Sequence, residues 1–149
     1  METLKMHETF IHILKENAIT YSTDRKVKGV CSLFFFHLTQ ANDTHPNCWE
    51  IHPDGDELLL VTKGEVEIEM VTQLYQGEDT VPGDAEKEVA ILHDGELLII
   101  PKGHWHRIIL KKETDLVVAT FGGNSKLASV EEKISNKYDE SASPLETIN

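Results

Sequence analysis

Two short stretches of the chain hold the side chains best suited to chemistry. Glu50, His52 and Glu57 surround the turn Pro53-Asp54-Gly55-Asp56, and His106 follows a second turn at Pro101-Lys102-Gly103. On an alternating strand Glu50 and His52 point to the same face. Proline fixes φ in the first turn, aspartate bonds to its own backbone, and glycine is free to take φ > 0. Glu57 then opens the next strand, so a hairpin brings Glu50, His52 and Glu57 to one concave face. Imidazole and carboxylate together can share a proton or hold a divalent transition metal. The residue types alone leave both open.

The elements that must position these residues are mostly short strands. Val30 to Leu38 is aromatic and β-prone, and too apolar for a strand with one wet face; it reads as covered on both sides, at a subunit contact. Glu57 to Val61 is a strand, and Glu65 to Val71 alternates cleanly. There Val66, Ile68 and Met70 face a core, while Glu65, Glu67 and Glu69 form a solvated outer row. Residues 76–88 read as a long loop. Val89–Leu92, Leu97–Ile100, His104–Leu110 and Leu116–Phe121 are further strands. Residues 8–18 have helical spacing, with a strand as the alternative. Ser129 and Glu132 form a capping box before a short C-terminal helix, with a polar tail from Asp139. Short strands at regular spacing with helical segments only at the ends predict an antiparallel β-sandwich or barrel.

The 149 residues suit one domain (1–149) with a barrel core at about 30–121 and the helix and tail at 125–149. A net charge of -12 argues against nucleic acid or an anionic membrane as the main partner, since both require a basic face. No stretch approaches the ~20 apolar residues of a membrane helix. Cys31 and Cys48 fit no zinc spacing or disulfide framework and read as reduced thiols, which with the absence of a signal pattern predicts a cytoplasmic protein. No serine lies in a nucleophile elbow, and neither cysteine has an activating partner.

The two stretches resemble the paired motifs of the cupin superfamily. The first motif, a histidine pair, then glutamate and glycine, falls on Glu50, His52, Glu57 and Gly64, with Glu50 standing where the family's first histidine would be. The second falls on Gly95, Pro101, Gly103 and His106, with Leu110 in place of the usual asparagine. The resemblance implies an all-β cupin-type double-stranded β-helix, an antiparallel jelly-roll barrel. It further implies one divalent transition metal (Fe, Mn, Ni or Zn) held by Glu50, His52, Glu57 and His106, with Glu50 or Glu57 as catalytic base. Two carboxylates and two imidazoles would leave the site neutral once M²⁺ binds, a weaker Lewis acid than a three-histidine site. His104 shares the strand parity of His106 and either looks into the barrel or sits at its mouth. Trp49 and Trp105 pack on the other side, Arg107 lies on the outer face, His37 is a core residue and His45 a loop residue.

Three functions fit these expectations. One is a metal-dependent oxygenase, decarboxylase or isomerase acting on a small organic acid or carbonyl compound. Another is a non-catalytic metal or small-ligand sensor. The last is a metal-free acid/base isomerase or epimerase using His52 and a glutamate. The family resemblance and the apolar strand at 30–38 also imply a homodimer.

Overall fold

The computed structural model describes residues 1–24, 26, 29–121 and 124–130. Eleven strands form two antiparallel sheets. In chain order they are β1 (Phe10–Ile13), β2 (Ile19–Ser22), β3 (Cys31–Leu38), β4 (Cys48–Ile51), β5 (Glu57–Lys63), β6 (Glu65–Val71), β7 (Lys87–His93), β8 (Leu97–Ile100), β9 (His106–Leu110), β10 (Thr114–Phe121) and β11 (Lys126–Ser129). The six-stranded sheet runs β2-β1-β3-β10-β5-β8 and the five-stranded sheet β11-β4-β9-β6-β7. Both are far from sequence order, so consecutive strands repeatedly cross from one sheet to the other, as in a jelly roll.

Period-two alternation decides what each strand buries. Phe34 on β3, Leu59 and Val61 on β5, Val66 and Ile68 on β6, and Leu110 on β9 are almost fully buried and pack as one cluster contributed by both sheets. Burial of each such side chain stabilises the fold by about 1.5–3 kcal/mol relative to exposure. A second cluster joins Trp49, Ile51, Val71, Val81, Trp105 and Ala128.

Gly64 closes the β5–β6 hairpin at φ 111°. A Cβ there would collide with the Thr114 side chain and the Glu113 carbonyl, so only glycine fits. Gly55 is required for a different reason from the conformational freedom expected of it. Its φ is not positive, but a Cβ would strike Phe121.

Several sequence expectations change. Residues 8–18, whose spacing is helical, instead take the strand alternative and form β1, because Ile11 and Ile13 pair across to Leu33 and Cys31 of β3, and β2 follows to pair with β1. The N-terminal helical element is a single 3-10 turn at Met6–Glu8. Ser129 ends β11, which pairs with β4, rather than opening a helix; the rest of the expected helix and tail, 131–149, lies outside the described residues. The glutamates of β6 are half-buried and neutralised: Glu65 faces His93 and Lys112, Glu67 faces Lys111, and Glu69 faces Arg107 and Lys87. Arg107 is itself buried, donating from Nε to Glu69 at 2.6 Å and lying over the Trp49 ring. His37 is exposed rather than in the core and pairs with Asp115 and Glu113. No helix among the described residues is long and apolar enough to cross a membrane.

Candidate metal centre

The register of β4 against β9 pairs Glu50 directly with His106. Side chains directly opposite on an antiparallel pair stand on one face, close together. His52 follows two residues after Glu50 and shares that face. β5 enters from the other sheet with Glu57 at its first position. The turn at Pro53–Asp56 thus carries the chain between sheets and lays Glu57 against the two histidines. Its geometry is held by the Asp56 carboxylate, which accepts from the Lys102 amide, and by Asp54, which accepts from Asn124. The two motif turns are therefore tied directly to each other.

Glu50, His52 and His106 each offer a ligand atom within 4.8 Å of the others. The imidazole centroids are 5.5 Å apart. Glu57 lies outside that mutually close set but touches both rings, with Oε2 2.7 Å from His52 Nε2 and Oε1 3.3 Å from His106 Nε2. These contacts lack hydrogen-bond direction: both Nε2 atoms are buried without a hydrogen-bond partner. Buried polar nitrogens without partners are costly in a core. Two donors that face one ion through bonds of about 2.1 Å stand roughly 3 Å apart, close to the 2.7 and 3.3 Å from Glu57 to the two rings and less than the 3.7 Å from Glu50 to His52.

The opposite ring nitrogens are anchored. His106 Nδ1 donates to the His104 carbonyl at 3.0 Å, and His52 Nδ1 lies 2.7 Å from Ser125 Oγ. A carbonyl can only accept, so a neutral His106 carries its proton on Nδ1 and turns its Nε2 lone pair toward the cluster. Anchoring of this kind fixes ring orientation in metal sites. Thr120 Oγ1 donates to Glu57 Oε2 at 3.0 Å. An N₂O₂ donor set of two imidazoles and two carboxylates suits a borderline divalent transition metal.

Charge is distributed unevenly over the cluster. Burial pushes Glu50 above the ordinary carboxylate range, and the neighbouring Glu57 adds to the shift. Burial also opposes ionisation of Glu57, but the charge of His52 and the close approach of both imidazoles overcome it and hold Glu57 well below the usual range. Desolvation disfavours charged His52, yet the Glu57 carboxylate prevails and raises it to about 9. A raised histidine stabilises the fold fully below its unfolded value near 6.5 and loses that contribution as pH rises through about 9. Glu57 acts in the opposite sense, stabilising above the ordinary glutamate value and losing its contribution as pH falls through its lower folded value. The metal-free protein is therefore expected to be most stable near pH 5–6 and to lose thermal stability steadily toward pH 10. Thermal melts across pH 5–10 in a chelator check this; a flat profile above pH 7 would contradict the pairing.

A cavity of ≈ 60 Å³ adjoins the cluster. Phe36, Leu38, Ile108, Leu116, Val118 and Leu127 supply its apolar wall, while Glu50, His52, Glu57 and Thr120 meet it from the cluster. Glu50 keeps 26% of its side chain accessible, against 4% for His52 and 1% for His106. It is the member of the cluster that an incoming molecule would meet.

Glu50, His52, Glu57 and His106 lie together in one cluster, and residues from outside the two motifs meet it or the cavity beside it. Ser125, Thr120 and the cavity residues Asp43, Thr44 and His45 carried no sequence signal, since isolated hydroxyls and a loop histidine are common everywhere. His45 takes a left-handed conformation at φ 54° after the turn Ala41–Thr44. His104 does not join the cluster: its Nδ1 donates to the Val71 carbonyl at 3.0 Å. Trp49 and Trp105 pack in the second cluster on the opposite side, as alternation requires.

Jelly-roll topology and an interior Glu/His cluster built from two turn-linked strands together define a barrel protein with a candidate internal metal site. The chain belongs to the cupin family, whose sequence model, described as Cupin, matches residues 33–146. The uncharacterized protein YdbB of Bacillus subtilis (strain 168) is 37% identical over 80 residues, covering 48% of this chain and 58% of that protein. The chain thus spans little more than half the length of this curated relative. Among solved structures, Peruvianin-I, a cysteine peptidase from Thevetia peruviana latex, is similar at TM-score 0.50 and 16% identity, covering 68% of this chain and 57% of its own. A cupin-2 domain containing protein from Shewanella frigidimarina NCIMB 400 gives TM-score 0.42 at 18% identity, covering 64% and 74%. At such identities the likeness concerns fold and says nothing of activity.

Proposed function

We propose that the protein is a metal-dependent cupin that holds one divalent transition metal through Glu50, His52 and His106, with Glu57 as the fourth donor, and acts on a small molecule bound in the adjoining cavity. The observation that carries this reading is the pair of buried Nε2 atoms, unpartnered and facing the same carboxylates. A bound divalent metal would supply Lewis-acid polarisation of a ligand oxygen. The protein's own part is positional. His104 carbonyl and Ser125 orient the rings, Thr120 holds Glu57, and the apolar wall excludes water. Glu50, accessible and raised above the carboxylate range, is the group placed to exchange a proton with a bound molecule. Oxygenase, decarboxylase and isomerase chemistry can each use such a site.

Metal analysis of protein purified from metal-supplemented cells tests the reading. About one transition metal per chain is expected, and Glu50→His should retain it, since imidazole at that position restores a nitrogen donor. Metal-free protein, or loss of metal in Glu50→His, would count against Glu50 as a ligand. Dioxygen uptake with bound ligand then separates oxygenase from the other chemistries.

A second reading draws on the raised His52 and lowered Glu57, an imidazole–carboxylate couple that could move a proton without metal. Activity that survives chelation and fails in His52→Gln would favour it. The free Cys31 and Cys48 agree with a reducing, intracellular setting.

We also propose that the protein pairs with a second copy through the outer face of the six-stranded sheet. Ile13, Ile19, Tyr21, Leu97 and Ile99 are exposed there, and Leu33, Phe35, Leu58, Leu60 and Val117 continue the apolar face between them by strand register. An apolar face spanning six strands is far more than monomers usually expose, and a flat face of one sheet is complementary to itself. Light scattering should give twice the chain mass, and Leu97→Glu with Ile99→Glu should halve it; a monomeric parent protein would end the proposal.

A further inference from the structure

The cavity's lining contains a consistent chemical bias. Its apolar wall comes from β3, β9, β10 and β11, and three of its polar residues are carboxyl groups: Asp43, Glu50 and Glu57. Among the described residues no lysine or arginine lines it. Arg107, on the strand that carries His106, is buried elsewhere, committed to Glu69 and to the Pro46 carbonyl. An anion entering this space would give up its hydration and meet no free cation, since the one basic ring of the cluster that faces it, His52, already stands 2.7 Å from the Glu57 carboxylate. With two carboxylates on a divalent ion, the metal site has no residual charge to draw an anion in, and Asp43 adds a negative charge to the wall. Apolar groups, by contrast, gain by leaving water for Phe36, Ile108 and Leu127. The space is also small, so the molecule it takes is compact.

We infer that the cavity selects a compact, uncharged, largely apolar molecule bearing a single carbonyl or hydroxyl oxygen, and that it rejects carboxylates. The inference rests on the cavity placement proposed above and sharpens it: of the two substrate types expected from sequence, carbonyl compound and organic acid, the lining favours the first. Discrimination arises from a low-dielectric wall that offers carboxyl groups and no free countercharge.

The test compares two molecules of one shape, 3-methyl-2-butanone and isobutyrate, in which a methyl group is exchanged for an ionised oxygen. Metal content is measured first. Binding to the protein is then followed by ligand-observed NMR and thermal shift, with Mn²⁺ added and, separately, in chelator. The ketone should bind at least tenfold more tightly than isobutyrate in both conditions. Leu127→Arg and Thr44→Arg each place a cation at the lining, and the variant that keeps the parent's circular dichroism spectrum should gain at least tenfold in isobutyrate affinity. Equal or tighter binding of isobutyrate by the parent protein would overturn the inference, as would failure of both molecules to bind at 50 mM. Ketone preference in protein that takes up no metal would instead uphold the inference while refuting the metal reading.

Discussion

Replacing His106 by alanine is expected to reduce the bound metal from about one ion per chain to a trace while leaving the barrel folded. His106 is 1% exposed and supplies one of two buried nitrogens that lack any hydrogen bond. Its partner across the strand pair is Glu50, and its Nε2 stands 3.3 Å from Glu57. Alanine removes the donor and leaves two carboxylates with one imidazole, a set that binds borderline metals far more weakly. The backbone bonds of β9 to β4 and β6 are unaffected. Ser125→Ala is the instructive comparison. It removes only the anchor of His52 Nδ1, and loss of such an outer contact lowers metal affinity by roughly 10–100-fold without abolishing it. Elemental analysis gives the stoichiometry and chelator competition gives the affinities. If His106→Ala retained full metal content, the two imidazoles would be structural and the centre would lie elsewhere.

Trp105→Ala should have the largest effect on stability, about 3–5 kcal/mol. For a chain of this size that lowers the melting temperature by on the order of 10 °C. Trp105 is 2% exposed and packs with Trp49, Ile51, Val71 and Val81, edge-on to Tyr75 at 6.0 Å. Its indole donates to Glu78 at 3.2 Å, tying the long loop before β7 to the barrel. Truncation opens a large void between the five-stranded sheet and that loop. Because Trp105 immediately precedes His106, the same change loosens the carbonyl of His104 that orients the ring. Metal affinity should therefore fall alongside stability, whereas a core substitution in the other cluster, such as Phe34→Ala, should cost comparable stability with less effect on affinity. Paired melts and metal titrations of the two variants separate these outcomes; equal loss of affinity in both would show that general destabilisation alone was responsible.

The site was legible because its signal is local. Turn chemistry at Pro53–Asp56 and Pro101–Gly103, strand parity within Glu50-Ile51-His52, and burial of Trp105 beside His106 all follow from rules acting over a few residues. Parity correctly sent Trp49 and Trp105 away from the cluster. For His104, which has the parity of His106, parity left the barrel interior and its mouth both open, and the bond from its Nδ1 to the Val71 carbonyl keeps it out of the cluster. The surface assignments failed for a related reason. Arg107 and the β6 glutamates were placed by parity on an outer face, correctly, but that face is covered. The Lys87 and Arg107 cations converge on Glu69 from neighbouring strands, a pairing set by register between β6, β7 and β9.

By itself the sequence determined the all-β fold class, the two turn-linked motifs that carry Glu50, His52, Glu57 and His106, and the acidic character of the protein. These depend on alternation, turn residues and net charge, each of which can be counted along the chain. Tertiary structure alone decided that Glu50 stands opposite His106, that Glu57 reaches both rings from the other sheet, and that Ser125 and Thr120 support them. It also decided that the cavity has three carboxyl groups and, among the described residues, no lysine or arginine. Those facts come from strands far apart in sequence, whose order and register are set by burial of two whole sheet faces at once. No local pattern records that choice, because the energy that makes it is the sum over the entire core.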